Sequence, residues 1–236
     1  METSSTERFT RNADLVCQDA INVHTIVIVG VGAIGSQLAE QLAKLGVSRF
    51  VLIDMDCVSE VNLSVQGFYE DELGDAKVMA VADRLARVNS RIDVTTHARP
   101  WTLKTSAELI PEDSVVFACA DSMIVRKQLF ECELLHRRQP VFFDGRMTAE
   151  SFKVYAATTE LPGSVRFYRD SLFSQGEMHR EACTAKATIY CAAIAAGFLC
   201  ALFKQWSMRE RSGYFGWHFD FNIRVFDALR TELSIY

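Results

Sequence analysis

Thr25-Ile26-Val27-Ile28-Val29-Gly30-Val31-Gly32-Ala33-Ile34-Gly35-Ser36-Gln37-Leu38-Ala39-Glu40-Gln41-Leu42-Ala43-Lys44-Leu45-Gly46-Val47-Ser48-Arg49-Phe50-Val51-Leu52-Ile53-Asp54-Met55-Asp56 is the stretch that decides the fold. Residues 25–29 are β-branched and show no alternation, so they predict a strand buried on both faces, as in a parallel sheet. Gly30, Gly32 and Gly35 then form a G-x-G-x-x-G turn, in which missing Cβ atoms permit a tight bend and close approach of backbone to a phosphate. Leu38, Leu42 and Leu45 share one helix face, Gly46 stops that helix, and residues 50–53 form the second strand. Asp54 follows nineteen residues after Gly35, where a doubly wound fold sets an acid on the ribose hydroxyls of a bound nucleotide. Strand, turn, helix, strand and acid in this order predict a nucleotide site, and nothing in the stretch separates NAD from ATP.

Beyond Asp56 the polar run 57–66, containing Asn62 and Gln66, lies at the carboxyl edge of a parallel strand, the edge where open α/β sheets bind ligands. Gly74-Asp75-Ala76-Lys77 opens a helix carried by Val78, Val81, Leu85 and Val88. A lysine in a first helical turn faces the helix's own partial positive charge, so Lys77 asks for an anionic neighbour. Residues 92–98 and 114–120 read as strands, with a short helix at 105–109 between them. Asp121 either N-caps a helix over 123–136 or stands at the edge of the site. Residues 141–144 are a further buried strand.

From residue 152 the pattern turns antiparallel: 152–157 is strand-like, 161–163 a turn, and 164–182 a polar, irregular loop. The apolar run 187–203, bracketed by Lys186 and Lys204, is short for a membrane span and reads as a helix packed on the sheet or on another subunit. The tail predicts a hairpin, with Phe219, Phe221, Ile223 and Val225 alternating, a turn at Asp227-Ala228, and Leu233 and Ile235 alternating back. Before the first strand, residues 1–7 are small and polar, Arg8 and Arg11 read as solvated, and 13–20 predicts a short helix.

With 236 residues, 49% of them apolar, the chain can bury a substantial core as one domain. A net charge of -5 argues against broad nucleic-acid binding. Cysteines at 17, 57, 119, 132, 183, 191 and 200 read as reduced thiols without C-x-x-C pairs, and the polar N-terminus shows no secretory signal, so a cytoplasmic protein is expected.

Taken together, Arg8-Phe9-Thr10-Arg11, the glycine turn, Asp54-Met55-Asp56, Asn62-Leu63-Ser64-Val65-Gln66, Gly74-Asp75-Ala76-Lys77, Ala120-Asp121-Ser122 and Arg126-Lys127-Gln128-Leu129 resemble the family that adenylates ubiquitin-like and sulfur-carrier proteins, the MoeB, ThiF and ubiquitin-activating enzymes. The resemblance implies a Rossmann-like, doubly wound, mainly parallel sheet continued by antiparallel C-terminal strands. It implies one adenylation domain over 1–236, with an N-terminal arm at 1–24, a nucleotide-binding half at 25–150, and the strands, crossover loop and apolar helix at 151–236. By resemblance ATP sits on Gly30, Gly32, Gly35, Asp54, Asp56, Asn62, Gln66 and Lys77. Asp121 supports Mg2+, and Arg11 acts in trans across a homodimer. Joining a carboxylate to an α-phosphate brings two anions together, so such cations are what the chemistry needs.

The chain departs from the family in carrying Val65 where an arginine is common, and in lacking the paired zinc cysteines and a C-terminal ubiquitin-fold or rhodanese-like extension. Cys183, placed between the polar loop and the apolar helix, is either a nucleophile that takes the acyl group as a thioester or an inert buried thiol. The expected function is adenylation of the C-terminal glycine of a small ubiquitin-like protein, thioester formation on Cys183, and handover to a conjugating enzyme. A sulfur-carrier adenylyltransferase that ends in a thiocarboxylate is the alternative. A degenerate nucleotide-binding protein and an NAD-dependent oxidoreductase stand behind both.

Overall fold

Continuous apolar runs become the centre of one sheet in the computed structural model, which describes residues 7–173, 187–209, 218–222 and 230–232. The strands are β1 (Thr25–Val29), β2 (Arg49–Ile53), β3 (Asp93–His97), β4 (Ser114–Ala118), β5 (Val141–Thr148), β6 (Ser151–Ala157), β7 (His218–Asn222) and β8 (Arg230–Glu232). They lie in the order β3-β2-β1-β4-β5-β6-β7-β8. The first five are parallel and the last three antiparallel, which is the expected doubly wound sheet with its antiparallel extension. Strand order reverses between β1 and β4, and the carboxyl ends of those two strands therefore diverge to leave a crevice.

The sheet is buried on both faces because alternate residues of each run face opposite layers. Ile26, Ile28, Phe50, Leu52, Phe117 and Phe143 join one core with α2 (Ala33–Leu45), α4 (Lys77–Val88) and α8 (Ile189–Ser207). Val27, Val29, Val51, Ile53, Val116 and Phe142 join the other with Trp101, Leu109, Phe130 and Tyr168. Between these elements lie α1 (Gln18–Ile21), α3 (Glu60–Leu63), α5 (Ser106–Leu109), α6 (Met123–Leu129), which continues as a π-helical turn over Phe130–His136, and α7 (Pro162–Asp170). Long and apolar enough to cross a membrane, α8 instead seats Cys191, Ala195, Leu199, Leu202, Phe203 and Trp206 in the core against α2, β5 and β6. Each such large side chain withdrawn from water is worth about 1.5–3 kcal/mol.

Several expectations are corrected. The helix expected over 13–20 shrinks to α1, preceded by turns. At α6 the N-cap is Ser122, whose Oγ accepts the Val125 N–H at 3.4 Å, so Asp121 has no capping duty. The turn at 161–163 is the start of α7: Pro162 occupies a first-turn position, where its missing N–H costs nothing. The polar stretch after it is therefore helical to Asp170, burying Ser164 and Tyr168 beneath an exposed charged face. β5 runs on past Asp144 to Thr148 because it pairs antiparallel with β6 through residue 148. The C-terminal hairpin forms from β7 and β8, whereas Ile223, Val225, Asp227, Ala228, Leu233 and Ile235 lie outside the described residues.

Candidate functional site

At the crevice, Gly30 has φ +90°, and a Cβ there would lie 2.5 Å from the Ala120 backbone nitrogen, so the end of β1 and the chain leaving β4 are in backbone contact. Gly35, in the first turn of α2, would drive a Cβ into the Gly30 carbonyl oxygen, so α2 packs directly on the strand end. Gly32 differs: a Cβ there would meet only the Gln66 side chain, 3.6 Å away. Gln66 Oε1 is buried without a hydrogen-bond partner. A cradle bounded by backbone N–H groups and an orphaned acceptor is what a polar ligand lying over the turn would complete.

Asp54 closes the same crevice from β2. Its Oδ2 accepts the Val31 N–H at 2.6 Å and its Oδ1 accepts the Asp56 N–H at 2.9 Å, which locks the carboxylate beside the glycine turn. Each carboxylate oxygen retains a lone pair for a hydroxyl donor, the requirement for holding a ribose. Asp56, about half exposed, accepts from Lys77 Nζ at 3.0 Å, and its backbone oxygen accepts the Lys77 N–H at 3.0 Å. The anionic neighbour that Lys77 asks for at the start of α4 is thus supplied within the chain. Position alone does not demand a phosphate, but the buried lysine is held ready at the crevice by a partner that solvent can reclaim. Asn62 turns its Oδ1 back to the Ser59 N–H and Oγ, both at 3.0 Å, and so fixes the start of α3.

Asp121 follows Cys119 and Ala120 off the end of β4 and is exposed. Among the described residues no group of three His, Cys, Asp or Glu is gathered as a metal-ligand set. A lone carboxylate fits Mg2+, which keeps waters and takes one or two carboxylates plus phosphate oxygens. Burial pushes the Cys119 thiol up to about 12, so it stays neutral at the crevice wall.

Arg11 is not brought to this crevice. It is exposed, and the arm that carries it lies at the far end of the helices: Arg8 Nη1 bonds the Val88 carbonyl at the close of α4, 3.0 Å away, and Gln18 Nε2 bonds the Leu45 carbonyl at the close of α2, 3.1 Å away. The 13 residues of α2 separate that end from the glycine turn by about 20 Å. Cys183 lies outside the described residues.

One neighbouring cluster was not anticipated. Buried Arg126 on α6 donates through Nη1 to Asp144 Oδ1 and to the Gly145 carbonyl, the latter at 3.0 Å. Asp144 Oδ2 accepts from Arg146 Nε at 2.6 Å and from Tyr168 Oη at 2.9 Å. Burial pulls the Arg126 guanidinium down to about 10, still charged at neutral pH, with Asp121 among the charges that raise it back. The signal was available in the sequence: an aspartate ending the apolar run Val141-Phe142-Phe143 has to be paired.

Comparison with known proteins follows from this geometry. The model of the ThiF family matches residues 6–216. The chain is 35% identical over 120 residues to the molybdopterin-synthase adenylyltransferase of Escherichia coli strain K12, covering 50% of this chain and 48% of that protein. It is 34% identical over 130 residues to the adenylyltransferase and sulfurtransferase MOCS3 of Sus scrofa, covering 52% of this chain and 29% of that one. Over 79 residues it is 34% identical to the ubiquitin-like modifier-activating enzyme 5 of Drosophila melanogaster, covering 34% of this chain and 20% of the relative. The chain thus spans about half the length of its bacterial relative or less. Among solved structures, E. coli MccB with AMPCPP and MccA superposes with a TM-score of 0.76 at 18% identity, covering 97% of this chain and 72% of that one. PaaA superposes with 0.74 at 18%, covering 100% and 75%. At these identities the likeness is one of fold.

Proposed function

Because the chain belongs to the ThiF family, we propose that it is an ATP-dependent adenylyltransferase that activates the C-terminal carboxylate of a small sulfur-carrier protein of the ubiquitin type. The observation that carries this is the crevice itself, where the fixed Asp54, the buried Lys77 and the orphaned Gln66 Oε1 border one glycine turn. Asp54 orients the ribose while the turn's N–H groups hold phosphate oxygens. Lys77 exchanges Asp56 for the phosphates and neutralises charge as the carboxylate approaches. Asp121 would hold Mg2+, which when bound would supply neutralisation of the charge on the departing pyrophosphate.

The sulfur-carrier product leads because a molybdopterin-synthase adenylyltransferase and MOCS3 are matched over 120 and 130 residues, against 79 for the ubiquitin-like modifier-activating enzyme 5. Thioester formation on Cys183 with transfer to a conjugating enzyme is the second reading, supported by the shorter match to a ubiquitin-like modifier-activating enzyme. ATP–pyrophosphate exchange that appears only with the cognate carrier tests adenylation, and exchange that survives Lys77→Met undiminished would refute it. Mass spectrometry of the carrier, as thiocarboxylate or as enzyme thioester lost in Cys183→Ala, separates the two readings.

The reading extends to a homodimer in which Arg11 serves the partner's nucleotide, since in its own chain the arm lies at the wrong end of α2 and α4. Mixing Arg11→Ala with Lys77→Met subunits then regenerates one intact site per mixed dimer, or about a quarter of wild-type exchange at equal mixing. No recovery would rule out action in trans, and full exchange by Arg11→Ala alone would place Arg11 outside the reaction.

A further inference from the structure

The geometry points to Arg84 as a positioning residue that holds Gln66 over the glycine turn from behind the loop. The inference rests on the nucleotide-binding reading above. Arg84 lies seven residues after Lys77 on the same face of α4, about 10 Å farther from the crevice, so it does not touch a nucleotide lying there. It is 6% exposed, an unusual place for a guanidinium on a helix between sheet and solvent. Its Nη1 donates to the Gly67 carbonyl, in the residue directly after Gln66. Its guanidinium sits 5.1 Å from the Phe68 ring centroid and 5.8 Å from that of Tyr69.

Glu72 completes the clamp. Its Oε1 lies 3.3 Å from Arg84 Nε, and its Oε2 accepts the Tyr69 N–H at 2.9 Å. On the other side of the peptide the Gly67 N–H donates to Ser36 Oγ on α2 at 3.2 Å. Residues 67–72 are therefore tied to α2 and α4 at five points, four of them through Arg84. Arg84 Nε and Nη2 have no aligned hydrogen-bond acceptor, so the pair is held by charge and ring stacking. A buried, incompletely bonded ion pair is a poor way to gain stability and a good way to fix one arrangement of a loop. What it fixes is the neighbour of Gln66, whose buried Oε1 faces Gly32.

The test is a double-mutant cycle on MgATP binding by calorimetry, with Arg84→Met, Gln66→Ala and the double variant, together with hydrogen exchange of residues 64–72 in the ligand-free protein. Arg84→Met is expected to weaken ATP binding about tenfold and to speed exchange in the loop at least tenfold. The double variant is expected to bind no more weakly than the weaker single, because one residue acts through the other. Additive losses of about a hundredfold, or unchanged loop exchange in Arg84→Met, would overturn the inference. If Arg84→Met does not fold, Arg84→Lys keeps the charge beside Glu72 without the stacked fork and is expected to give a smaller loss of the same non-additive kind; full wild-type affinity would refute the role. Failure of the unaltered protein to bind ATP would remove the functional proposal, while the loop-exchange result would still decide whether Arg84 holds the segment.

Discussion

Two polar clusters flank the end of β4, one at the glycine turn after β1 and the other around Asp144 on β5, and they are built on opposite rules. In the cluster of Arg126, Asp144, Arg146 and Tyr168, the aspartate's two oxygens take three donors, and Arg146 donates further through Nη1 and Nη2 to Ser171 O and Oγ at 2.9 and 3.1 Å. At the glycine turn the reverse holds. Gln66 Oε1 is unpaired, Asp54 has lone pairs to spare, and Lys77 leans on a carboxylate that is 54% exposed. Closed networks tie elements together, here α6, β5 and α7, whereas open ones keep bonding capacity for something that arrives. Charge density alone would nominate the closed cluster, whereas bonding capacity left open points to the glycine turn.

The largest effect that could break this contrast is in the closed cluster. Asp144→Asn leaves the buried Arg126 and the part-buried Arg146 without their counter-charge and is expected to cost about 3–5 kcal/mol, lowering Tm by about 6–20 °C in a chain of this size. A loss below about 1 kcal/mol in denaturant titration would mean the cluster is no strut. Next comes the open site, where Lys77→Met, which keeps the buried stem, is expected to lower carrier-dependent ATP–pyrophosphate exchange about 100-fold and to shift Tm by no more than about 2 °C. A large stability loss with modest loss of exchange would invert the assignment.

The smallest effect is read on thiols. Cys119 beside the turn is held neutral up to about 12 by burial, while Cys57 is exposed. At pH 8 iodoacetamide is expected to alkylate Cys57 at least tenfold faster than Cys119, measured by peptide mass spectrometry. The raised value means that the folded chain keeps the Cys119 proton, so this thiol contributes stability below about pH 9 that is lost as pH climbs from 9 toward 12. Equal labelling rates would show that the crevice wall opens to solvent.

Much of this architecture is legible in the chain because its strands are continuous apolar runs, which admit few alternatives. Val27, Val116 and Phe142 had to be buried on both sides, and the glycine spacing fixed what followed β1. Elements whose identity comes from partners were not legible. Leu161-Pro162-Gly163 is as good a turn as a helix start until Tyr168 finds Phe130 at 4.7 Å and Asp144 at 2.9 Å. Ser122 took the cap from Asp121, a one-residue choice that local composition leaves balanced. Arg84 resembled any solvent-facing arginine of an amphipathic helix until Phe68, Tyr69 and Glu72 folded over it. For the same reason the sequence could ask for an anionic neighbour at Lys77 without naming Asp56 as that partner.

The contact between the Gly30 carbonyl and the Cα of Gly35 has a consequence for how this chain can drift. No residue with a Cβ fits at 35 unless the strand end backs away, and the strand end cannot retreat because Ala120 presses on Gly30 from the other side. The two glycines are interlocked through a third segment, so neither can be replaced first and compensated later. Lineages descending from this chain inherit positions 30 and 35 as an inseparable pair.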